Sequence, residues 1–430
     1  MTISRSDEEM ALVETARRVL PGGTFGNFGG DIVIREGHGG RVRDVSGNEY
    51  VDFLLGSGPM FIGHGNPEVI AAVQEQVQRG TTFFANNEHG IRLAAEIVDA
   101  VPCADKVRFV SSGSEADLYA MRVARAFRKR DKILKFEGGY HGMSDYSLMS
   151  LAPKRPGNFP QAIPDSPGIP RSVRDDVLIA PFNDAATAVA LIEANADELG
   201  GVIVEPFQRL LKPVPGFLEA LREVTARLGI PLIFDEVVTG FRFAYGGAQE
   251  YYGVVPDLCS LGKVIGGGFP LAAVAGRADI MAYFDRGLVG DDGFLVQIGT
   301  LSGNPVAAVA GLKTLEILRR PGAYEKVFAT GERLMAGLSK ALAEAGVAAQ
   351  VVGVPPLFDV VFATGAVHDY RATLRADADV QKRFNRCMRE NGLLKGESKF
   401  YVSLAHDEAD VAQALDAFAA FARAEQKVAA

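Results

Sequence analysis

The sequence predicts an α/β fold, in which helices cover both faces of a large, mostly parallel β-sheet, together with a smaller α+β part. Three observations favour this class. The chain has 430 residues, more than one hydrophobic core usually organises. Its middle alternates short apolar runs with stretches of helical period, which is typical of parallel sheets. Its two ends lack this alternation and combine hairpin-like with Ala-rich helical segments.

The strands of the large sheet are predicted from apolar runs in the middle of the chain. These runs cover residues 106–110, 132–136, 201–206 and 230–237. The stretch GFLEALREVTARLG, between the last two runs, has helical period and ends at Gly229, a typical stop signal. Because ligands bind beyond the carboxyl ends of parallel strands, reactive side chains are expected directly after these runs.

A long loop is predicted over residues 143–175, where six prolines fall within residues 153–170. A loop of this length inside a compact domain is usually either a lid or a disordered segment. The apolar side chains of Phe159, Ile163 and Ile169 favour an ordered lid.

The ends of the chain predict a different architecture from the middle. Residues 41–54 alternate in polarity like a β-hairpin around a Ser-Gly-Asn turn. Ala-rich amphipathic helices are predicted at 322–346 and 408–425, with strand-like pieces between them at 349–363 and 399–404. The two ends are therefore expected to fold together.

Three segments are expected along the chain. An N-terminal segment (1–70) and a C-terminal segment (311–430) together form the small α+β domain. The residues between them (71–310) form the large domain with the parallel sheet, which should carry the ligand site.

The composition excludes several classes of protein. Lysine and arginine number 45 against 53 aspartates and glutamates, a net charge of −8 with no basic stretch, so no nucleic-acid partner is expected. The three cysteines are far apart and the six histidines lack metal-ligand spacing, so neither a disulfide framework nor a metal site is predicted. The N-terminal stretch is polar and no apolar run is long enough to span a bilayer. These features indicate a cytoplasmic protein with no membrane partner.

A cradle for a phosphate group is predicted where the strand at 106–110 gives way to a helix. The stretch VSSGSEADLYAMRVARAF covers residues 110–127, and its small residues allow a ligand to approach the backbone closely. The free N–H groups of a first helical turn, with the hydroxyls of Ser112 and Ser114, suit a phosphate. The alternative is an ordinary serine N-cap with Glu115 in the first turn.

Two charged side chains stand among apolar residues. Asp235 ends the run PLIFD, where its carboxylate could hold a protonated ring nitrogen; the alternative is a structural carboxylate that pairs with Arg242 or caps a turn. Lys263 lies in PDLCSLGKVIGGGFP. Poor solvation there would lower the pKa of its amine and favour the neutral nucleophile, whereas most lysines are solvated surface residues.

An aromatic ring completes the set of groups. The motif GGYHG (138–142) places Tyr140 between glycines after a strand, where its ring could cover a planar cofactor or be a core aromatic in a tight turn. A phosphate cradle, a ring, a carboxylate and an amine match the phosphate, ring face, ring nitrogen and aldehyde of pyridoxal 5′-phosphate. The sequence therefore predicts this cofactor.

The order of these motifs resembles the class III aminotransferases, which are fold-type I pyridoxal phosphate enzymes. Within the class, the sequence is most similar to the glutamate-1-semialdehyde 2,1-aminomutase branch, and the resemblance covers nearly the whole chain. The motifs that carry it are PGGTFG (21–26), GPMFIGHGNPEV (58–69), SSGSEADLYAMRVARAF (111–127), GGYHG (138–142), PDSPGIP (164–170), VEP (204–206), LIFDEVVTGFR (232–242), PDLCSLGKVIGGGFP (256–270), GTLSGNP (299–305) and SLAH (403–406).

The resemblance implies which residues hold the cofactor and catalyse the reaction. Lys263 would bind the aldehyde as a Schiff base and later act as the general base at the substrate carbon. Asp235 would keep the pyridine nitrogen protonated, so that the ring accepts electrons. Gly113 and Ser114 would hold the phosphate. The fold implied is a fold-type I transferase, with a seven-stranded sheet in the large pyridoxal phosphate-binding domain (71–310).

The remaining residues implied by the resemblance surround the cofactor and the substrate. Tyr140 would stack on one face of the ring and Val237 would pack on the other. Thr300 would reach the phosphate in the neighbouring subunit, which implies a homodimer with shared active sites. Glu205 and Ser57 would line the substrate site.

Two positions depart from the aminomutase branch. That branch has an arginine for the substrate carboxylate where this chain has Gly29, and a tryptophan in the pocket wall where this chain has Ser57. A carboxylate clamp is thus lost and the pocket widened, which favours an intermolecular aminotransferase with a bulkier substrate over an aminomutase. Lys395 and Lys399 could supply replacement positive charge, although solvated loop lysines are the simpler interpretation.

The expected function is a pyridoxal phosphate-dependent aminotransferase that moves an amino group between an amine or amino acid and a carbonyl acceptor. An aminomutase, an epimerase or a decarboxylase would keep the same core residues. A nucleotide-binding module would need a GxGxxG or GxxxxGK[ST] loop after the first strand of the sheet, and neither is present. A non-catalytic regulator would need a DNA-binding domain, for which no residues are left.

Overall fold

The computed structural model describes residues 4–29 and 31–429. Its strands are β1 (Ile34–His38), β2 (Arg41–Asp44), β3 (Glu49–Asp52), β4 (Lys106–Val110), β5 (Lys132–Phe136), β6 (Val177–Ala180), β7 (Leu199–Val204), β8 (Leu232–Glu236), β9 (Leu258–Leu261), β10 (Ala272–Gly276), β11 (Gln350–Val354), β12 (Leu357–Val361), β13 (Leu393–Leu394) and β14 (Phe400–Tyr401).

Helices connect most of these strands. The α-helices are α1 (Asp7–Val19), α2 (Pro67–Arg79), α3 (Glu88–Ala100), α4 (Gly113–Arg128), α5 (Arg171–Asp175), α6 (Ala185–Ala194), α7 (Phe217–Leu228), α8 (Gly247–Tyr252), α9 (Ala278–Met281), α10 (Arg286–Gly293), α11 (Pro305–Leu318), α12 (Ala323–Glu344), α13 (Tyr370–Thr373), α14 (Ala378–Glu390) and α15 (Glu408–Ala429). Short 3₁₀ turns occur at Pro21–Gly23, Leu55–Ser57, Lys263–Gly266 and Ala282–Phe284.

The chain forms two compact units. The terminal unit consists of Met1–Pro67, Pro321–Gly365 and Ala376–Ala430, and the central unit consists of Glu68–Arg320 and Ala366–Arg375. Each unit has its own sheet structure.

The central unit contains a seven-stranded sheet with the order β4-β10-β9-β8-β7-β5-β6. β10 is antiparallel to both of its neighbours, and the pairs from β9 through to β6 are parallel. The prediction of a large, mostly parallel sheet is therefore confirmed. Two predicted strands differ in their bounds from the structure. The strand predicted at 201–206 lies two residues too far along the chain, because β7 spans Leu199–Val204, and the strand predicted at 230–237 was too long, because β8 spans only Leu232–Glu236.

Local sequence explains the helices that cover this sheet. α4 begins with a reciprocal capping box between Ser112 and Glu115 and buries small residues such as Ala120 and Ala124 against the sheet. Small side chains let the helix axis lie close to the strands. α7 ends at Leu228, and the glycine predicted as its stop signal, Gly229, is the C-cap with φ +63 in the left-handed region.

The proline-rich stretch over 143–175 is irregular apart from α5, yet it is packed. Met149 and Ala162 are buried together with Val177 and Ile179 of β6, and Phe159 packs against the same cluster. Apolar burial of this kind offsets the conformational entropy that a long loop loses on ordering. The expectation of an ordered segment therefore agrees with the packing, and a lid movement remains a prediction.

The terminal unit combines two small sheets with long helices. One sheet has the order β1-β2-β3-β13, in which β2 and β3 form the antiparallel hairpin predicted around the Ser-Gly-Asn turn. The other has the order β11-β12-β14. The predicted Ala-rich helices are α12 and α15, which pack against each other.

Across the part of the chain that the structure describes, no helix combines the length and apolar character needed to cross a bilayer.

Candidate active site

Four of the predicted site residues follow or end neighbouring parallel strands of the central sheet. Tyr140 follows β5, Glu205 follows β7, Asp235 lies near the end of β8, and Lys263 follows β9. Because these strands run in one direction, their carboxyl ends lie at the same edge. The start of α4 lies there too, since β4 and β9 both pair antiparallel with β10 and so point the same way.

The first turn of α4 offers backbone N–H groups at this edge. The Ser112 hydroxyl accepts the Glu115 N–H at 3.3 Å, which makes Ser112 the N-cap, and donates its own proton to the Glu115 carboxylate at 3.1 Å, so it is not free for a phosphate. Among the described residues, neither the Gly113 N–H nor the Ser114 N–H has an acceptor. Two unsatisfied donors at the positive end of a sixteen-residue helix suit an anion.

Val237 packs between two glycines of this edge. A Cβ at Gly113 would lie 2.9 Å from a Val237 methyl group, and a Cβ at Gly262 would lie 3.2 Å from the same methyl group. A side chain at Gly113 would therefore displace Val237. The contact places Val237 beside both the start of α4 and the residue before Lys263.

Asp235 is almost fully buried and hydrogen-bonded. His141 Nδ1 lies 2.8 Å from Asp235 Oδ2, while the Val237 N–H and the Ser260 hydroxyl donate to Oδ1 at 3.1 and 3.3 Å. These are the partners of Asp235 among the described residues, so the alternative pairing with Arg242 is wrong. The Arg242 Nε instead donates to the Val238 carbonyl at 2.8 Å.

A second buried carboxyl, Asp117 of α4, joins this network. Its Oδ1 lies 2.5 Å from the Ser260 hydroxyl, whose single proton is shared between Asp117 and Asp235. Burial, followed by the charge of Asp235, raises the pKa of Asp117 well above its ordinary value. One ligand atom each from Asp117, His141 and Asp235 lie within 4.8 Å of one another, a spacing that a metal ion could also use. The hydrogen bonds described above occupy Asp117 Oδ1, both Asp235 oxygens and His141 Nδ1.

The loop that carries Tyr140 is held by several contacts. The Tyr140 N–H donates to the Glu205 carboxylate at 2.8 Å. Lys135 of β5 is fully buried, and its Nζ donates to the carbonyls of Gly139, Ser147 and Met149 at 3.1, 2.9 and 2.6 Å. Burial lowers the pKa of Lys135 to about 7. The Tyr140 ring itself stays 38% exposed, which agrees with a ring available to a ligand and not with a core aromatic.

The end of the Tyr140 loop lies directly on α4. Gly142 has φ +81, and a Cβ there would approach the Ser114 Cα to 2.5 Å. The next residue, Met143, donates its N–H to the Ser114 hydroxyl at 3.1 Å. Glycine is required at 142 for both reasons. The phosphate cradle and the aromatic ring predicted from the sequence are thus parts of one connected surface.

Lys263 opens a 3₁₀ turn and is partly buried, between fully buried residues such as Leu261 and Val264. Its φ is +49, in the left-handed region that non-glycine residues rarely adopt. Gly267, in the glycine run that follows, has φ +55, and a Cβ there would meet the Ala310 backbone at 2.6 Å. The glycines after Lys263 therefore allow close packing on α11. Because Lys263 itself is partly buried, its interpretation as a solvated surface lysine is wrong.

These residues fit the predicted cofactor. The two N–H groups of the α4 turn can take a phosphate, and the cradle at Gly113 has no room for a Cβ. The Asp235 carboxylate is held by His141, Ser260 and the Val237 N–H. It can accept a hydrogen bond from a protonated ring nitrogen.

Thr300 and Ser57, the other two predicted residues, belong to different units of the chain. Thr300 is exposed and lines a 370 Å³ cavity formed with residues 82–87 and 107–109 of the same unit. Ser57 belongs to the terminal unit, where it is exposed and has φ +65 at the end of a 3₁₀ turn.

Sequence reasoning missed three members of the site: Asp117, His141 and Lys135. The available signal for His141 was its position beside Tyr140 in GGYHG. For Lys135 it was a lysine inside the otherwise apolar KILKF, and for Asp117 a carboxylate on the sheet-facing side of α4.

Comparison with known proteins identifies the family. The model of the family Aminotransferase class-III matches residues 27–421. An omega-transaminase from Sphaerobacter thermophilus is 36% identical, with a TM-score of 0.91 over 96% of this chain and 97% of that chain. A beta-phenylalanine aminotransferase from Variovorax paradoxus is 31% identical, with a TM-score of 0.87 over 98% and 94%.

An aminomutase shares the fold at lower identity. A glutamate-1-semialdehyde-aminomutase from Pseudomonas aeruginosa PAO1 is 24% identical, with a TM-score of 0.86 over 97% of this chain and 94% of that chain. Sequence identity is therefore higher with the two aminotransferases than with the aminomutase. This chain belongs to the class III aminotransferases, a family of enzymes that depend on pyridoxal 5′-phosphate.

Proposed function

We propose that this aminotransferase moves an amino group between an amine or amino acid and a separate carbonyl acceptor, with Lys263 as the lysine that binds the cofactor. The observation that carries the assignment is the convergence of Lys263, Asp235 and Tyr140 at one edge of a parallel sheet. Family membership supplies the reaction type, and this convergence supports the choice of residues.

Each part of the cofactor has a counterpart at this edge. The N–H groups of Gly113 and Ser114 hold the phosphate at the start of α4. Tyr140 and Val237 cover the two faces of the ring, and Asp235 holds the ring nitrogen. His141 and Ser260 keep the Asp235 carboxylate in place through the hydrogen bonds described above.

The reaction needs a proton to be removed from the substrate carbon next to nitrogen. The bound cofactor supplies an electron sink for the charge that develops at this carbon. Lys263 Nζ would take this proton as the general base. Asp235 holds the proton on the ring nitrogen throughout, and Glu205 keeps the Tyr140 loop in position through its hydrogen bond to the Tyr140 N–H.

The substrate assignment rests on two sequence positions. Gly29 and Ser57 stand where the aminomutase branch has a carboxylate-binding arginine and a tryptophan. An arginine–carboxylate pair is bidentate and strong, so its loss removes a determinant for glutamate-1-semialdehyde. A serine in place of an indole leaves space for a larger substrate. Transfer between two different molecules is therefore proposed over isomerisation of one.

Glutamate-1-semialdehyde is expected to be a poor substrate in comparison with bulkier amines and carbonyl acceptors. The measurement is kcat/KM for glutamate-1-semialdehyde alone and for a panel of amine and carbonyl pairs. Ser57→Trp should selectively depress kcat/KM for the larger compounds. Conversion of glutamate-1-semialdehyde to 5-aminolevulinate with the highest kcat/KM in the panel would show that the enzyme is an aminomutase after all.

A homodimer with shared active sites is also proposed. The cavity that Thr300 lines is bordered by exposed apolar side chains, with Phe83 50%, Phe84 71% and Ile298 74% exposed. Exposed apolar patches of this kind mark interaction surfaces. The occupant proposed here is a second copy of the chain, because the segment with Thr300 corresponds to the one that crosses the dimer interface in the family the sequence resembles.

Mixing two inactive variants is expected to restore activity if the sites are shared. A heterodimer of Lys263→Ala and Thr300→Ala subunits has one site with both residues intact and one site with neither. Activity is measured after subunit exchange and compared with the parents mixed without exchange. A mixture no more active than its parents, or an active species that sediments as a monomer, rules the shared site out.

The last parts of the proposal concern the cellular compartment and the roles of the two domains. We assign the enzyme to the cytoplasm, an assignment supported by its three free cysteines. The predicted large domain (71–310) is proposed to bind the cofactor, and the segments 1–70 and 311–430 to form the small domain.

A further inference from the structure

Arg209 occupies an unusual position close to Tyr140. It follows β7 in a two-residue turn, in which Gln208 and Leu211 exchange N–H···O bonds of 3.1 and 2.8 Å. Within this turn Leu210 is buried, whereas Arg209 is exposed. Arg209 has φ +62, in the left-handed region where glycine is usual and a side chain is strained. The chain thus carries an arginine where local geometry favours glycine.

The guanidinium of Arg209 lies over the ring proposed to stack on the cofactor. Its Cζ is 5.5 Å from the centre of the Tyr140 ring. Burial raises the pKa of Tyr140, and the positive charge of Arg209 opposes that shift. The same charge opposes the burial-driven rise in the pKa of Tyr370. The positive charge of Arg209 is therefore felt at both Tyr140 and Tyr370 of the central unit.

No carboxylate of the described residues lies within ion-pair distance of the Arg209 guanidinium. Some exposed arginines are paired, such as Arg320 with Glu68 and Arg333 with Glu408, each through two hydrogen bonds, whereas others, such as Arg423, have no ion-pair partner among the described residues. The cation–π contact alone does not explain Arg209, because an exposed contact of this type stabilises no more than the left-handed conformation costs. Stability is therefore not the reason for an arginine here.

The other candidates for a substrate cation are less suitable. Lys395 is buried and its Nζ lies 2.8 Å from the Asp359 carboxylate, so its charge is already neutralised within the terminal unit. This burial also contradicts its interpretation as a solvated loop lysine. Lys399 lies beside the Tyr401 ring of the same unit, at 6.0 Å.

We infer that Arg209 binds the carboxylate of an acidic substrate, a 2-oxo acid acceptor or the corresponding amino acid. A guanidinium matches a planar carboxylate with two parallel N–H···O bonds, and the five donors of Arg209 face no competing acid. Its place over Tyr140 puts the charge next to the surface where the substrate would react. The inference rests on the proposed function, since it takes Tyr140 as the residue that stacks on the cofactor.

The test compares acceptors that differ only in charge. Holoenzyme loaded with pyridoxamine 5′-phosphate is mixed with pyruvate or methyl pyruvate, and with 2-oxoglutarate or its dimethyl ester. The single-turnover rate is followed by the cofactor absorbance, so no donor needs to be known. Arg209→Gln should slow the acids by about tenfold or more and leave the esters nearly unchanged. Arg209→Lys, which keeps the charge without the fork, should fall between.

A binding measurement gives a readout that does not depend on turnover. The affinities of 3-phenylpropanoate and of neutral 3-phenylpropanamide are measured by calorimetry on each holoenzyme. Only the carboxylate should lose affinity in Arg209→Gln. Arg209→Gly should show the same loss while its melting temperature stays equal or rises, because glycine relieves the strain at φ +62. The matched control is Arg423→Gln, which removes an exposed arginine of α15.

The outcomes separate the inference from the proposed function. Equal acid-to-ester ratios in the wild type and Arg209→Gln, or no acid preference in the wild type, overturn the role of Arg209. If the loaded enzyme converts none of the acceptors, acid or ester, the proposed aminotransfer to a carbonyl acceptor fails instead, and with it the inference.

Discussion

Replacing Lys263 with alanine is expected to abolish turnover and to remove the covalent bond between protein and cofactor. Alanine has no amine with which to bind an aldehyde or to take a proton from the substrate. The fold should persist, because the neighbouring apolar residues Leu261 and Val264 supply the packing at this turn and remain unchanged. Activity is measured together with borohydride reduction, followed by mass mapping of the modified peptide.

Lys135 is the matched control for this experiment. It is a second lysine near the site, but its Nζ already donates to three carbonyls. Lys135→Met should therefore keep the reducible bond at Lys263 and lose stability, because leaving buried carbonyls without donors costs about 1–3 kcal/mol. A reducible adduct at Lys135, or normal activity in Lys263→Ala, would show that the lysine was wrongly assigned.

The architecture of the central unit could be predicted because it depends on local pattern. Short, mainly apolar runs such as residues 106–110 and 132–136 predict strands, and both became strands with those bounds. The polar residues that follow such runs then lie at one edge. The ends of the strands were less predictable. Ile230, Pro231 and Val237 are apolar but lie outside β8, because the bounds of a strand are set by its backbone hydrogen bonds to the neighbouring strands and not by hydrophobicity.

The support of the site could not be predicted from spacing. The hydrogen bond between His141 and Asp235 joins residues 94 positions apart, and that between Asp117 and Ser260 joins residues 143 positions apart. Such contacts arise from the order of strands in the sheet, which a single sequence does not give. The spacing of the histidines therefore gave no sign of this network.

The position of Arg209 could not be predicted from the sequence for a different reason. Its neighbours in VEPFQRLLKP resemble an ordinary loop, and a lone arginine in a loop is usually a solvated charge. Its left-handed backbone and its position over Tyr140 become visible only in three dimensions. Backbone strain at a side chain near a site is an observation from which a functional role can be inferred.

Replacing Asp235 with asparagine is expected to lower kcat by about a hundredfold or more, a loss typical of removing a charge aimed at the reacting group. Asparagine keeps the shape of the side chain, so the neighbouring Val237 and the ring faces stay in place. It is neutral, however, and cannot hold a proton on the ring nitrogen. The measurement is the single-turnover rate of holoenzyme at saturating cofactor, which separates chemistry from loss of cofactor.

Glu236, the next residue of β8, provides the contrast that makes this result specific. Successive side chains of a strand point to opposite faces, so Glu236 lies away from the site. It is fully buried and accepts hydrogen bonds from Thr239, Ala248 and Gln249 at 2.9, 2.5 and 3.3 Å, which fixes the start of α8. Glu236→Gln should therefore lower the melting temperature more than the rate.

The two variants should therefore differ in what they lose. Asp235→Asn should mainly lower the reaction rate, and Glu236→Gln should mainly lower the stability of the fold. The separation follows from what each carboxylate contacts: Asp235 is held by His141 and Ser260 at the edge where the cofactor binds, and Glu236 caps a helix. A rate for Asp235→Asn within about threefold of the wild type, with cofactor bound, would contradict the assignment, because charge stabilisation of a reacting group is worth far more than that.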